Sequence, residues 1–162
     1  MNGAQQHARN DALLAALAGY TAHVSGTLTE TTREDVCNAV TDTLAVALGA
    51  LRHPAVRPAQ RYARNHPLVN GAALWGTHQK TTVETAALVN GVPLRGYDYN
   101  DLYMGKKSGA HPSDIIPGLI ALAEVRSASG ADLFTAIAVG YEVNMMVLDA
   151  IESPERDAPE YI

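Results

Sequence analysis

One short stretch of the sequence, GYDYNDLYMGKKSGAHPSD from Gly96 to Asp114, concentrates side chains that can bind or transfer protons. The segments on both sides of it are rich in alanine, leucine and valine. Histidine is the side chain best suited to exchange protons near neutral pH, so His111 is a candidate acid or base. Asp98 and Asp101 are three residues apart and share one face if the preceding helix continues that far. The stretch is therefore a candidate site for cofactor-free acid/base chemistry.

Pro112 gives the same loop a feature that favours the binding of anions. A residue before proline is biased toward an extended backbone, so we expect His111 to be extended. Ser113 is then placed to cap the helix that follows, and the free amides at a helix start attract anions. Lys106 and Lys107 lie on the same loop. Together these residues predict a pocket for a small polycarboxylate beside a proton-transfer residue.

Other kinds of site fit this stretch less well. It departs from the calcium-loop pattern at Leu102 and Tyr103, where a ligand and a glycine are needed. The sequence contains no phosphate-binding glycine loop and no G-x-S-x-G serine motif. Two carboxylates with His111 are the remaining metal alternative, but their spacing matches no specific geometry, so we predict neither metal nor cofactor. A purely structural role is also open, because aspartates often cap helices and His-Pro often marks a turn.

The elements that must position this stretch are mostly helical. Apolar residues recur at spacings of three and four, and the sequences that begin at Thr32 and Thr81 resemble capping boxes. The predicted helices cover 11–24, 32–51, 55–64, 81–94, 113–127 and 132–151, and an extended segment covers 69–76. The sequence therefore predicts an all-α, multi-helix bundle, with residues 1–162 forming a single helical domain or part of one.

The last predicted helix differs from the others because it is apolar on every side. From Leu133 to Leu148 its only charged residue is Glu142. A helix of this kind is usually buried all round, and the other predicted helices are barely enough to enclose it. We therefore expect further protein to pack against it.

The composition narrows the class of protein. The 162 residues are 47% hydrophobic and 18% charged, which is typical of a globular protein. The net charge of −5 argues against nucleic-acid binding. We find no secretory signal, and the longest apolar run is short for a bilayer and contains Glu142, so we expect a cytoplasmic protein without a membrane partner. The single cysteine, Cys37, cannot form an internal disulfide and is expected to be a buried small hydrophobic residue.

The sequence VNGVPLRGYDYNDLYMGKKSGAHPSDIIPGLIALAE, from Val89 to Glu124, resembles the MmgE/PrpD family, which includes 2-methylcitrate dehydratase and cis-aconitate decarboxylase. That family carries an NG…DfnDt…HPSd signature at this place. DTLAVALGA at 42–50 and GADLFTAIAVGYEV at 130–143 are similar to family helices on either side of the signature. The resemblance implies a cytoplasmic, cofactor-free lyase that has a large helical domain and a smaller lid domain and acts on di- and tricarboxylic acids.

The family signature implies roles for particular residues. Asp98 and His111 match its first aspartate and its histidine, and are expected to be catalytic residues that contact substrate or move protons. Asp101 matches the second aspartate and is expected to support the loop. The predicted substrate-binding set is Asp101, Lys106, Lys107 and Ser113. Leu102 stands where the family has a threonine whose hydroxyl bonds substrate, which predicts a different substrate or a loss of activity.

The chain is expected to supply only part of the active site. Family members are longer, and their lid domain and further pocket residues have no counterpart in this sequence. We therefore expect a second polypeptide, or a region outside this sequence, to complete the fold, with a homo-oligomer as a further expectation. The reaction stays open between dehydration, decarboxylation and isomerisation or epimerisation. The alternative function is a non-catalytic binding or assembly module of the same fold, which Leu102 favours.

Overall fold

Six α-helices make up most of the chain in the computed structural model, which describes residues 3–24, 28–105 and 109–150. The helices are α1 (Gly3–His23), α2 (Glu30–Gly49), α3 (Val56–Ala63), α4 (Val83–Gly96), α5 (Ile116–Arg126) and α6 (Gly130–Ala150). Two antiparallel pairs accompany them, β1 (Pro67–Ala73) with β2 (Lys80–Thr81) and β3 (Tyr103–Met104) with β4 (Gly109–Ala110). A 3-10 turn (Pro112–Ile115) precedes α5. The predicted helical fold class is confirmed, and the predicted extended segment overlaps β1.

Threonine side chains begin two of the helices, at positions other than the predicted ones. The hydroxyl of Thr29 accepts from the amide of Thr32 and caps α2, and the hydroxyl of Thr82 accepts from the amide of Thr85 and caps α4. The capping boxes predicted at Thr32 and Thr81 are therefore wrong. Both segments contain several threonines, and the one that caps is the one with extended backbone just before the first helical residue.

Two groups of buried side chains hold the elements together. The first connects α3, β1, α4 and α5 and consists of Ala63, Ala72, Leu74, Ala86, Val89 and Ala121. The second connects α2, α5 and α6 and consists of Val36, Ile116 and Ile137. Because α4 and α5 both contribute to this core and pack against each other, the loop between them is anchored at both ends. That loop carries the candidate site.

Helix α6 is less buried than its apolar sequence predicts. It packs on α2, α5 and the 3-10 turn, and within the described part of the chain Ile137 is its only fully buried residue. Met146 and Val147 are exposed. The neighbouring elements of the described part leave a portion of the helix surface open, and the packing of further protein on it stays a prediction. By length and composition alone α6 could span a membrane, a criterion that core helices of soluble proteins also meet.

Cys37 also differs from its prediction, because its side chain is exposed on α2. Its neighbour Val36 faces the core, and one residue turns a helix by about 100°. The apolar pattern around Cys37 therefore did not determine which way this residue points.

Gly71 lies where β1 comes closest to β2. The pairing shifts between Pro67 and Ala72, since both residues pair with Thr81. A Cβ atom on Gly71 would lie 2.0 Å from the backbone carbonyl oxygen of Thr81, and only a movement of the backbone could relieve that contact. The close approach of the two strands therefore requires glycine at this position.

We predict that Gly71→Ala lowers the free energy of unfolding by more than about 2 kcal/mol, because the hairpin backbone must move to admit the methyl group. The matched control is Gly91→Ala within α4, where a Cβ would meet no other part of the chain within 4 Å. Alanine at position 91 should raise the free energy of unfolding by about 0.5–1 kcal/mol through its higher helix propensity. Urea unfolding followed by circular dichroism measures both variants, and equal midpoints would contradict the prediction.

Candidate functional site

The candidate site is built on the loop between α4 and α5. Asp98 and Asp101 would share a helix face only if α4 continued past them, and α4 ends at Gly96. Asp98 has a φ of 57°, in the left-handed region that aspartate tolerates better than most residues. The chain then passes through the β3–β4 hairpin and reaches His111. The backbone of His111 is extended, with φ −112° and ψ 92°, as Pro112 predicts.

Asp98 and His111, the two predicted catalytic residues, face each other across this loop. Oδ1 of Asp98 lies 3.7 Å from Nε2 of His111. The other ring nitrogen of His111, Nδ1, lies 2.6 Å from the backbone carbonyl oxygen of Asp101. Because a carbonyl oxygen only accepts hydrogen bonds, Nδ1 carries a hydrogen, and this bond sets the orientation of the ring. The structure therefore brings the pair together with Nε2 directed toward the carboxylate.

Asp101 connects the loop to the elements behind it. Its carboxylate oxygens accept from the amide of Ser113 at 3.1 and 3.2 Å, and Oδ2 also accepts from the hydroxyl of Tyr141 on α6 at 2.9 Å. Burial, together with the charge of Asp101, raises the pKa of the Tyr141 phenol far above its usual range, so this hydroxyl stays a donor. This is the geometry of a residue that supports the loop, and the predicted contact of Asp101 with substrate stays a prediction.

Ser113 is buried beneath the loop and does not cap the helix that follows. It lies within the 3-10 turn Pro112–Ile115, whose N-cap position is His111. Its hydroxyl accepts from Nδ2 of Asn100 at 2.9 Å, while its amide is bonded to Asp101. The N-cap prediction is wrong because the 3-10 turn separates Ser113 from α5 and the protein's own carboxylate occupies the amide. The predicted role of Ser113 in substrate binding stays a prediction.

Lys106 and Lys107, the other predicted substrate-binding residues, lie outside the described residues, in the connection between β3 and β4. Their role stays a prediction. Among the described residues, no group of three or more histidine, cysteine, aspartate and glutamate side chains is arranged to hold a metal ion.

Arg95 is a site residue that the sequence reasoning missed. Its Nη1 lies 2.9 Å from Oδ1 of Asp98 and 3.0 Å from Oδ1 of Asn100, and its Nε lies 3.9 Å from Oδ1 of Asp114. Burial raises the pKa of the Asp114 carboxyl, and the positive charge of Arg95 opposes that rise. The guanidinium therefore draws the start and the end of the loop together.

The sequence contained a signal for only part of this arrangement. Arg95 precedes Asp98 by three residues, a spacing at which opposite charges on or beside a helical turn commonly pair. Asn100 and Asp114 could be seen only as polar residues of the same stretch. Tyr141 lies in an apolar helix forty residues beyond Asp101, and no local pattern predicts that contact.

The site is open to solvent on one side. The side chain of Asp98 is 69% exposed, whereas that of His111 is 20% exposed. The three cavities of about 360, 380 and 630 Å³ found in the described part are lined by residues outside 95–114. Asp98 therefore lies on the solvent side of the site, and His111 lies behind it.

We predict that Tyr141→Phe lowers the free energy of unfolding by about 1–2 kcal/mol, because the Asp101 carboxylate loses a partly buried donor. The matched control is Tyr103→Phe, which removes a hydroxyl that donates to Oδ2 of Asp149 at 2.9 Å on the protein surface. Water replaces that exposed donor, so its loss should leave the unfolding midpoint unchanged. Chemical denaturation of both variants at pH 7 is the measurement. An equal loss of unfolding free energy in the two variants would show that burial of the Asp101 contact contributes nothing to stability.

Comparison with protein families extends the similarity beyond the loop. The family model described as the MmgE/PrpD N-terminal domain matches residues 15–160. The matched range includes the C-terminal part of α1, all the other helices, and the whole loop that carries Asp98 and His111.

Proposed function

This chain belongs to the MmgE/PrpD family, and we propose that it forms one wall of the active site of a lyase acting on a small di- or tricarboxylic acid. At the level of the family, membership indicates a dehydratase-type lyase. The observation that carries the proposal for this chain is the approach of Asp98 to His111, with 3.7 Å between Oδ1 and Nε2. A cytoplasmic location belongs to the proposal and is supported by the family resemblance.

Asp98 and His111 divide the proton transfers in this proposal. With Nδ1–H bonded to the Asp101 carbonyl, Nε2 is the nitrogen of the neutral ring that can accept a proton from the carbon next to a substrate carboxylate. In a dehydration, the electron pair of that C–H bond forms the C=C bond, and the hydroxyl on the neighbouring carbon leaves as water after gaining a proton. Asp98 is the exposed carboxylate beside the base, and we propose that it passes the proton taken up by Nε2 to the leaving hydroxyl.

The substrate carboxylates need cationic or amide partners. Lys106 and Lys107 are proposed for that role because they belong to the same loop. Leu102, whose side chain is exposed beside Asp101, offers no hydroxyl to the substrate, so the proposal includes a substrate that does not need one there. Isomerisation begins with the same proton abstraction, and decarboxylation delivers a proton to the carbon that has lost CO₂. We propose that groups outside this chain select among the three reactions.

We predict that His111→Ala and Asp98→Asn each lower turnover of the completed enzyme by about 10²–10⁴-fold, because each removes a proton-transfer group. The matched control is His23→Ala, which replaces an exposed histidine at the end of α1 and should leave turnover unchanged. Exchange of substrate C–H protons in D₂O, followed by NMR over a panel of di- and tricarboxylates, measures the proton-transfer step. Equal exchange by wild type and His111→Ala would remove the catalytic assignment.

A non-catalytic binding or assembly module is the second candidate, and Leu102 is the observation that favours it. The NMR experiment separates the two candidates. Absence of exchange from every member of the panel by the completed wild-type assembly would favour the module.

The exposed apolar surface motivates the proposal of a second polypeptide or a further copy of the chain. Leu13 and Leu14 of α1 are exposed, as are Met146 and Val147 of α6. A cavity of about 380 Å³ lies between α2, α6 and the residues Val24 and Leu28 that follow α1, and its lining is mostly apolar and includes Ile137. Burial of exposed apolar side chains is the main driving force for association. We propose that a partner covers this surface and supplies the missing walls of the pocket.

We predict that the chain forms a complex with the polypeptide encoded by the neighbouring reading frame, and that Ala136→Glu with Val147→Glu abolishes the complex. Both residues are exposed on α6, so the isolated double variant should keep its fold. The matched control, Leu88→Glu, places the same charge at an exposed apolar position of α4 and should leave assembly unchanged. Co-expression followed by native mass spectrometry gives the stoichiometry. A wild-type chain that stays a stable monomer under co-expression would contradict the proposal.

A further inference from the structure

A surface with both cationic and apolar residues lies beside β1, at a distance in sequence from the candidate site. A cavity of about 360 Å³ is lined by residues at the C-terminal end of α3, by both strands of the hairpin and by the connection between them. Its cationic lining residues are Arg64 and Lys80, with His78 between the strands. Pro67, Leu68 and Val69 of β1 form its apolar part. We call this surface the hairpin groove.

Helix α3 extends the positive charge of the hairpin groove. Arg57 and Arg61 precede Arg64 at spacings of four and three, which places the three arginines along one face of the helix. All three side chains are exposed, while Val56 and Ala63 of the same helix are buried. The groove is thus the end of a row of cations.

These cations have no ionic partner within the described part of the chain. Its ion pairs involve Arg33, Arg95 and His111, and the residues that line the hairpin groove include no aspartate or glutamate. Glu124, which lies at the far end of β1, accepts a hydrogen bond from the amide of Ala73 at 2.7 Å. A chain with a net charge of −5 therefore concentrates unneutralised positive charge at this place.

The apolar residues of the groove are unusually exposed. Val69 is 89% exposed and Leu68 is 46% exposed, and both stand next to the cations rather than in a core. Residues 67–70 of β1 all face solvent with extended backbone. Cations and apolar side chains along one extended strand fit a ligand that alternates acidic and apolar groups.

We propose that the hairpin groove binds an extended acidic segment of a partner polypeptide. Carboxylates of that segment pair with Arg64 and Lys80, while its apolar side chains cover Leu68 and Val69. A duplex is a poorer fit, because its binding requires several phosphate contacts, whereas the arginine and lysine residues that line the groove are Arg64 and Lys80. A concave groove with a strand along its wall also fits an extended peptide better than a flat bilayer. This proposal is independent of the chemistry at Asp98 and His111.

The test uses a fluorescein-labelled octapeptide that alternates glutamate and valine, with a glutamine–valine octapeptide as the uncharged probe. Fluorescence anisotropy with the full chain should show binding of the acidic peptide that weakens as salt is raised. Arg64→Glu with Lys80→Glu should raise Kd by at least about tenfold, since each change replaces an attraction with a repulsion. Val69→Ser should weaken binding more modestly through the lost apolar contact.

The matched control is Arg33→Glu with Arg126→Glu, which reverses two exposed arginines that do not line the groove. Its Kd should stay within about twofold of the wild-type value, which separates local contacts from net charge. Circular dichroism checks that every variant is folded. The proposal is overturned if the acidic peptide does not bind, if the uncharged peptide binds equally, or if both double variants lose affinity alike. Competition by a DNA duplex or by anionic vesicles would instead assign the groove to nucleic acid or to a membrane. Wild-type dimers that dissociate in the Arg64→Glu, Lys80→Glu variant would assign it to a second copy of the chain.

Discussion

The hydrogen bonds of Asp101 are the interaction on which the rest of the candidate site depends. Its carboxylate binds the 3-10 turn through the amide of Ser113 and binds α6 through the hydroxyl of Tyr141. Its backbone carbonyl accepts from the ring of His111. Hydrogen bonds to an ionised group are among the stronger ones in proteins, and partial burial protects these from water. The orientation of the His111 ring is therefore set by Asp101, ten residues earlier, and through it by Tyr141 of α6, thirty residues later.

A second constraint is the balance of charge around Arg95. Its guanidinium faces the carboxylates of Asp98 and Asp114, and the buried Asn100 lies between them as a neutral connector. The amide of Asn100 accepts from Arg95 through Oδ1 and donates to the hydroxyl of Ser113 through Nδ2. An aspartate at position 100 could not donate in that way, and it would add a third negative charge to the cluster. Asparagine satisfies both neighbours, and Asp98 is the more exposed of the two carboxylates that face Arg95.

The sequence predicted the features that depend on near neighbours and failed where distant contacts decide. Apolar spacing located the helices, and the His111–Pro112 dipeptide gave the extended backbone at the site. Which threonine caps α2 or α4 depends on one backbone angle rather than on residue type, so the predicted caps were displaced. The place of Ser113 depends on a 3-10 turn and on its bonds to Asn100 and Asp101, which no local pattern encodes. The burial of α6 depends on how many neighbours surround it, a quantity that its own sequence does not contain.

Tyr141 shows why the apolar surface and the polar site belong to one arrangement. Tyr141 lines the cavity between α2, α6 and the residues that follow α1, while its hydroxyl donates to the carboxylate of Asp101. The next residue, Glu142, accepts a hydrogen bond from Tyr20 of α1, so α1 is held against the same helix. Packing within the cavity acts on the tyrosine that fixes Asp101, and Asp101 in turn fixes the ring of His111. Helix α6 is otherwise apolar, but its Tyr141 hydroxyl connects the hydrophobic packing to the polar site. Through Tyr141 and Asp101, that packing sets the geometry of Asp98 and His111.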